Sequence, residues 1–238
     1  MRLSCLVAGL FFFACTALIE SARAQDSSTT PETSKQTVIV CFGDSITARG
    51  YPAVLAKNLN VSVINAGVSG NSTKAGLARM KKDVLDQKPL IVVILFGTND
   101  SRVDDPVVCV PLDKYEANLN EMVESCQKNS SQVILCILPP IDQEAYFKRH
   151  DRKKIEEKGG LDAILTSYRE VQAKVADRYK LPVVDLNKIL GEHPEWRDSD
   201  GVHPTKEGNA LIAQEIGKVA APLLENIKSK SSAPTPPP

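Results

Sequence analysis

Aromatic residues make up only 5% of the 238-residue chain, which holds one tryptophan and three histidines and carries no excess charge of either sign. Lys and Arg number 29 and Asp and Glu 29, so neither nucleic acid nor an anionic membrane surface meets a matching field. Neither a C-x-x-C spacing nor a Cys/His cluster occurs, which argues against a zinc site. No repeat period is visible. A membrane-spanning run of roughly 20 apolar residues is missing as well. The one candidate, Leu3 to Ile19, is too short and has no stop-transfer flank.

That stretch reads instead as a targeting segment. Arg2 supplies a short positive region and Ala22-Arg23-Ala24 a small-x-small cleavage site, so residues 1–24 are expected to be a secretory signal peptide and the chain to be secreted or periplasmic. Cys15 raises a lipoprotein alternative, although Phe12-Phe13-Ala14 makes a poor lipobox. Residues 25–36 and 228–238 are rich in Ser, Thr and Pro and lack apolar content, which predicts a flexible leader and tail around one domain over 37–227. Removing the signal leaves 27 basic against 28 acidic residues. It also leaves four cysteines. Cys41 and Cys136 lie in apolar runs where buried thiols are ordinary. Cys109 and Cys126 flank a loop and a helix and are a candidate disulfide pair.

Short β-branched runs at Val38–Phe42, Val61–Asn65, Leu90–Phe96, Val133–Leu138 and Val183–Leu186 alternate with expected helices at Tyr51–Asn58, Thr73–Asp86, Leu112–Lys128, Leu161–Tyr179 and Lys206–Asn226. Nearly continuous hydrophobicity suits strands covered on both faces, and the β-α-β-α order predicts a three-layer α/β/α sandwich around a parallel sheet. Active sites in such sheets collect at the carboxyl ends of the strands. Four segments lie there: Gly43-Asp44-Ser45, Gly67-Val68-Ser69-Gly70-Asn71, Gly97-Thr98-Asn99-Asp100 and, ahead of the last helix, Asp200-Gly201-Val202-His203-Pro204.

Together they hold the groups that acyl transfer needs. Ser45 offers a hydroxyl, which attacks a carbonyl only if a base removes its proton. Of the three histidines, His150 lies in a charged insert and His193 in a polar turn, and both are expected at the surface. His203 is the candidate base, with Asp200 placed to orient its ring. The main-chain N–H groups of Ser45 and Gly70 and the side-chain amide of Asn99 are candidate donors to a developing oxyanion. Each segment also has a plain structural use: Ser45 or Asp200 in a capping turn, Gly70 in a loop, Asn99 in a turn. Asp44, although it adjoins Ser45, reads as a loop-shaping residue. The basic cluster Lys148, Arg149, Arg152, Lys153 and Lys154 is interleaved with acids and reads as a solvated helix face.

These four blocks, in this order, resemble those of the SGNH hydrolase (GDSL esterase/lipase) superfamily. The likeness covers nearly the whole expected domain. It implies a five-stranded, flavodoxin-like parallel sheet, no cofactor and no metal, and the roles of nucleophile for Ser45, base for His203, orienter for Asp200 and oxyanion donors for Ser45, Gly70 and Asn99. Residues 63–80 are especially similar to the exported thioesterase/lysophospholipase/arylesterase branch. Thr98 stands where that branch usually carries glycine, and the insert Ile141–Gly160 lengthens the region before the fourth long helix. The resemblance leads to a serine esterase acting on short-acyl or O-acetyl esters of small molecules or glycans. Longer acyl chains, as in lysophospholipids or thioesters, are the alternative, and a non-catalytic glycan-binding domain is the reading of another class.

Overall fold

The structure, a computed structural model, describes residues 39–231. The expected signal peptide, the leader and the terminal prolines lie outside the described residues. In chain order the elements are β1 (Ile39–Gly43), α1 (Ser45–Ala48), α2 (Tyr51–Leu59), β2 (Val63–Gly67), α3 (Thr73–Asp83), β3 (Ile91–Leu95) and α4 (Leu112–Lys128). There follow β4 (Gln132–Ile137), α5 (Gln143–Tyr146), α6 (Arg152–Glu156), α7 (Leu161–Tyr179), β5 (Val183–Asp185), α8 (Leu186–Gly191) and α9 (Lys206–Ser231).

All strand pairs are parallel, and the sheet order is β2-β1-β3-β4-β5. Because side chains alternate along a strand, each apolar run feeds two cores at once. Val40 and Phe42 of β1, with Val92, Ile94, Val133 and Leu135, pack with Met80 of α3, Leu119 of α4 and Val175 of α7. Ile39 and Cys41, with Ile91, Val93, Ile134 and Cys136, pack on the other face with Leu55 of α2, Leu190 of α8 and Ile212 of α9. This two-sided burial is why β1 and β3 read as unbroken hydrophobic runs, each buried at every residue. It also yields the expected three-layer sandwich.

The structure corrects several expectations. The edge strand β2 starts at Val63, not Val61, and is only half-buried, since one side has no neighbouring strand. Leu186 belongs to α8: the Asp185 side chain accepts from Lys188 N at 3.0 Å and turns the chain into a helix there. The insert carries two short helices, α5 and α6, capped in the same way by Asp142 and Asp151, which agrees with the helix face expected of its basic cluster. Helix α9 carries on to Ser231, into the stretch assigned to the tail. Cys109 and Cys126 are both free thiols. Cys109 precedes α4 and Cys126 lies in its last turn, so about four turns of helix rising about 1.5 Å per residue separate them by roughly 20 Å, far outside disulfide reach.

One buried side chain fastens the carboxyl ends of β3 and β4. Gln172 of α7, fully buried, accepts from Leu138 N at 2.9 Å and donates to Cys136 O at 3.0 Å and Phe96 O at 3.2 Å. Gln172→Met keeps the volume and strands Leu138 N–H and Cys136 C=O without partners. The expected loss is about 2–5 kcal/mol, and thermal unfolding followed by circular dichroism should show a Tm lower by about 5–15 °C.

Candidate active site

Strand β1 delivers Ser45 to the sheet edge by stopping abruptly. Asp44, wholly buried, accepts from Ile46 N at 2.9 Å and so caps α1, whose first residue is Ser45. Burial is the main reason that the Asp44 carboxyl is pushed up to about 7, with the nearby Asp100 carboxylate adding to it against the Ile46 N–H. The loop-shaping part expected of Asp44 is what these contacts describe.

From the far end of the chain, the turn before α9 brings His203 to the same place. Its Nε2 lies 2.7 Å from Ser45 Oγ and its Nδ1 2.5 Å from Asp200 Oδ2. The other Asp200 oxygen accepts the main-chain N–H groups of Val202 and His203, each at 2.9 Å. Burial alone would raise the Asp200 carboxyl, but these donors outweigh it and hold it at about 2. A carboxylate so held keeps a proton on Nδ1 and leaves the Nε2 lone pair facing the serine hydroxyl. Gly201 sits inside this turn at φ +78°, where a Cβ would come 2.9 Å from Asp142 O, so glycine lets the turn and the insert touch.

The expected donors gather on the other side of Ser45. Gly70 follows β2 at φ +77°, and neither its main-chain N–H nor that of Ser45 has a hydrogen-bond partner among the described residues. Asn99 Nδ2 donates to Asn71 O at 3.0 Å and, weakly, to Asp44 Oδ2 at 3.4 Å. To reach a substrate oxygen it must release the longer bond. Arg79 of α3 holds this group from behind. Its guanidinium donates to Asn71 Oδ1 at 2.7 Å, Ala66 O at 2.8 Å and Gly43 O at 2.8 Å, and it lies 4.6 Å over the Phe42 ring. Asp100 does similar work lower down by accepting both the main-chain N–H and the hydroxyl of Thr73. It too is pushed up, to about 6, chiefly by burial against the Thr73 donors.

Ser45, His203, Gly70 and Asn99 face a cleft of about 250 Å³, whose wall also includes Thr98, Arg49, Arg102, Tyr146, Arg149 and His150. His150 is therefore not a surface residue as expected. Its side chain is 12% exposed, stacks on Tyr146 with ring centroids 3.8 Å apart, and contacts Asp104 Oδ2 at 3.0 Å. Desolvation lowers the His150 pKa, against the pull of Asp104. His193, by contrast, is 45% exposed beside Glu195. The basic cluster is exposed as expected, but Arg149 also reaches the cleft and donates to Asp200 O at 2.9 Å.

The raised Asp44 carboxyl carries a stability signature. Its pKa is about 7 in the fold against an ordinary 3.8, so between those values the folded chain keeps a proton that the unfolded chain has lost. Its contribution is therefore intact below about pH 4 and declines as pH rises towards 7. Chemical denaturation of Asp44→Asn should show a smaller fall in stability from pH 5 to pH 8 than wild type, by about 1–4 kcal/mol.

Comparison with known proteins identifies the family. Residues 41–211 match the GDSL-like Lipase/Acylhydrolase family. The chain is 32% identical over 215 residues to the isoamyl acetate-hydrolyzing esterase 1 homolog of Mus musculus, covering 82% of this chain and 84% of that one. It is 31% identical over 211 residues to the uncharacterized lipoprotein YqeF of Bacillus subtilis (strain 168), covering 75% of this chain and 87% of that one. Among solved structures, the lipase/acylhydrolase from Enterococcus faecalis superposes with a TM-score of 0.65 at 28% identity, over 77% of this chain and 94% of its own. The chain belongs to the GDSL-like lipase/acylhydrolase family and is a carboxylic ester hydrolase.

Proposed function

We propose that the protein is an exported serine esterase that cleaves short-acyl esters through an acyl-serine intermediate. The observation that carries this reading is the continuous row from Ser45 Oγ through the His203 ring to the Asp200 carboxylate, with contacts of 2.7 Å and 2.5 Å. In the first half-reaction Ser45 Oγ attacks the ester carbonyl carbon while His203 Nε2 takes its proton. The carbonyl oxygen, now negative, accepts from the Ser45 and Gly70 N–H groups and from Asn99 Nδ2. Collapse of this intermediate breaks the bond to the alcohol oxygen, which receives the proton from His203. A water deprotonated by the same histidine then attacks the acyl carbon, releasing the carboxylic acid and restoring Ser45.

A cleft of about 250 Å³ walled by Tyr146 and His150 of the insert is small for a long chain, which favours acetyl and similar groups. The mouse relative's name, an isoamyl acetate-hydrolyzing esterase homolog, points the same way. Export rests on the character of residues 1–24, and a relative named as a lipoprotein supports a place outside the cytoplasm. Among the described residues, no helix is long and apolar enough to cross a membrane.

Ser45→Ala and His203→Ala are each expected to lower kcat on p-nitrophenyl acetate by about 10³-fold or more, and Asn99→Ala by about 10²–10³-fold. Wild-type rates in the first two variants would refute the reading. Across p-nitrophenyl esters of increasing chain length, kcat/KM should fall beyond butyrate, with lysophosphatidylcholine a poor substrate. A maximum at long chains would instead favour the lysophospholipase alternative.

A further inference from the structure

Three guanidinium groups, those of Arg49, Arg102 and Arg149, stand on the cleft wall beside Ser45 and His203, and no Asp or Glu is among the described residues lining it. The chain as a whole is charge-balanced, with 29 basic and 29 acidic side chains, so these arginines are not the overflow of a basic protein. We propose that the ester hydrolysed here carries a carboxylate on its alcohol half, as a hydroxy acid or an acidic sugar does. The inference rests on the serine-esterase reading above.

The donors are available. Arg49 follows Ser45 by four residues, its main-chain N–H bonding to Ser45 O at 3.0 Å, so the two side chains share one face of the turn. Its guanidinium has no hydrogen bond or ion pair among the described residues. Arg102 gives one nitrogen to Asp105 at 3.0 Å, while its Nε is buried without a partner. Arg149 bonds through Nη2 to Asp200 O at 2.9 Å, and its side chain is 49% exposed. A guanidinium has five N–H donors, so each group keeps several for a ligand. Two of the three are partly neutralised, Arg102 by Asp105 at 3.0 Å and Arg149 by Asp200 Oδ2 at 3.7 Å, and Asp104 is engaged with His150, so Arg49 is the cleft guanidinium without a carboxylate partner among the described residues. Asp44 and Asp100 are buried and capture main-chain N–H groups of α1 and α3. Holding loops together accounts for part of Arg102 and Arg149, but for nothing of the Arg49 side chain.

The same contacts say which half of the substrate is charged. The leaving alcohol takes its proton from His203 Nε2 and so lies on the His203 side of the cleft. Arg149 is hydrogen-bonded to Asp200 in the His203 turn. Arg49 also lines the adjoining groove of about 440 Å³ with Pro204, Thr205 and Asp198, the last of which turns a carboxylate oxygen to Ser199 N at 2.6 Å. Two arginines thus flank the turn that hands over the proton. An anion held there meets a planar fork suited to a carboxylate.

The test compares 4-acetoxybenzoate with 4-acetoxybenzamide, which share the acetyl group and the aryl frame and differ in charge, with p-nitrophenyl acetate as the common reference. Wild type should show kcat/KM about tenfold or more higher for the benzoate at low salt, with the ratio shrinking at about 0.5 M NaCl. Arg49→Gln and Arg149→Gln should each cut that ratio severalfold, and Arg49→Lys should keep most of it. A merely structural role would lower both rates together and leave the ratio unchanged. A ratio near one for wild type, or one that survives both glutamine substitutions, overturns the proposal. If p-nitrophenyl acetate is cleaved while the ratio is flat, only the charged-substrate inference fails. If p-nitrophenyl acetate is not cleaved either, the serine-esterase reading has failed with it.

Discussion

A 2.7 Å contact between His203 Nε2 and Ser45 Oγ joins residues 158 positions apart, and the rest of the fold can be understood as what makes that contact possible. The serine rides on the first turn after β1, an interior strand of a parallel sheet whose neighbours β2 and β3 run the same way. The histidine sits in the turn that launches α9, and α9 packs back under the sheet with Ile212 and Ile216 in the same core as Ile39 and Cys41 of β1. One hydrophobic core therefore fixes both partners. Burial supplies the rigidity, and the polar contact adds direction.

That precision requires polar groups inside the protein, and each is held by specific partners. Asp44 and Asp100, buried at the carboxyl edge, are held by main-chain donors at the starts of α1 and α3. Arg79 gathers the ends of β1 and β2 and the Asn71 loop with one guanidinium, and Gln172 does the same for β3 and β4 with one amide. These bonds offset much of the cost of burying such groups and order the edge, although Asp100 Oδ2 and Arg102 Nε stay buried without a partner among the described residues. The insert then closes the cleft from above, anchored where Asp142 N bonds to Gly201 O at 2.9 Å.

Much of this was legible in the residues because a parallel sheet leaves a loud signature. Runs such as Ile91–Leu95 are hydrophobic on both faces, and four polar blocks follow strands or precede α9, so the fold and the meeting of Ser45, His203 and Asp200 could be read from alternation and position. What could not be read depends on contacts that no period encodes. His150 looked like surface because its neighbours are charged, yet stacking on Tyr146 and pairing with Asp104 draw it into the wall. Leu186 looked like strand until the Asp185 cap turned it into helix. Cys109 and Cys126 looked like partners by compartment, although the rise of α4 keeps them apart. The cleft arginines come from three separate segments, and only the folded edge assembles them.

The account's central claim is that Ser45 is the nucleophile, activated by His203. It is tested most directly by treating the protein with a fluorophosphonate probe and mapping the adduct by peptide mass spectrometry. The account predicts a single adduct on Ser45 that forms at least about 10²-fold more slowly in His203→Ala. An adduct confined to another residue, or labelling of Ser45 at an unchanged rate without His203, would contradict it.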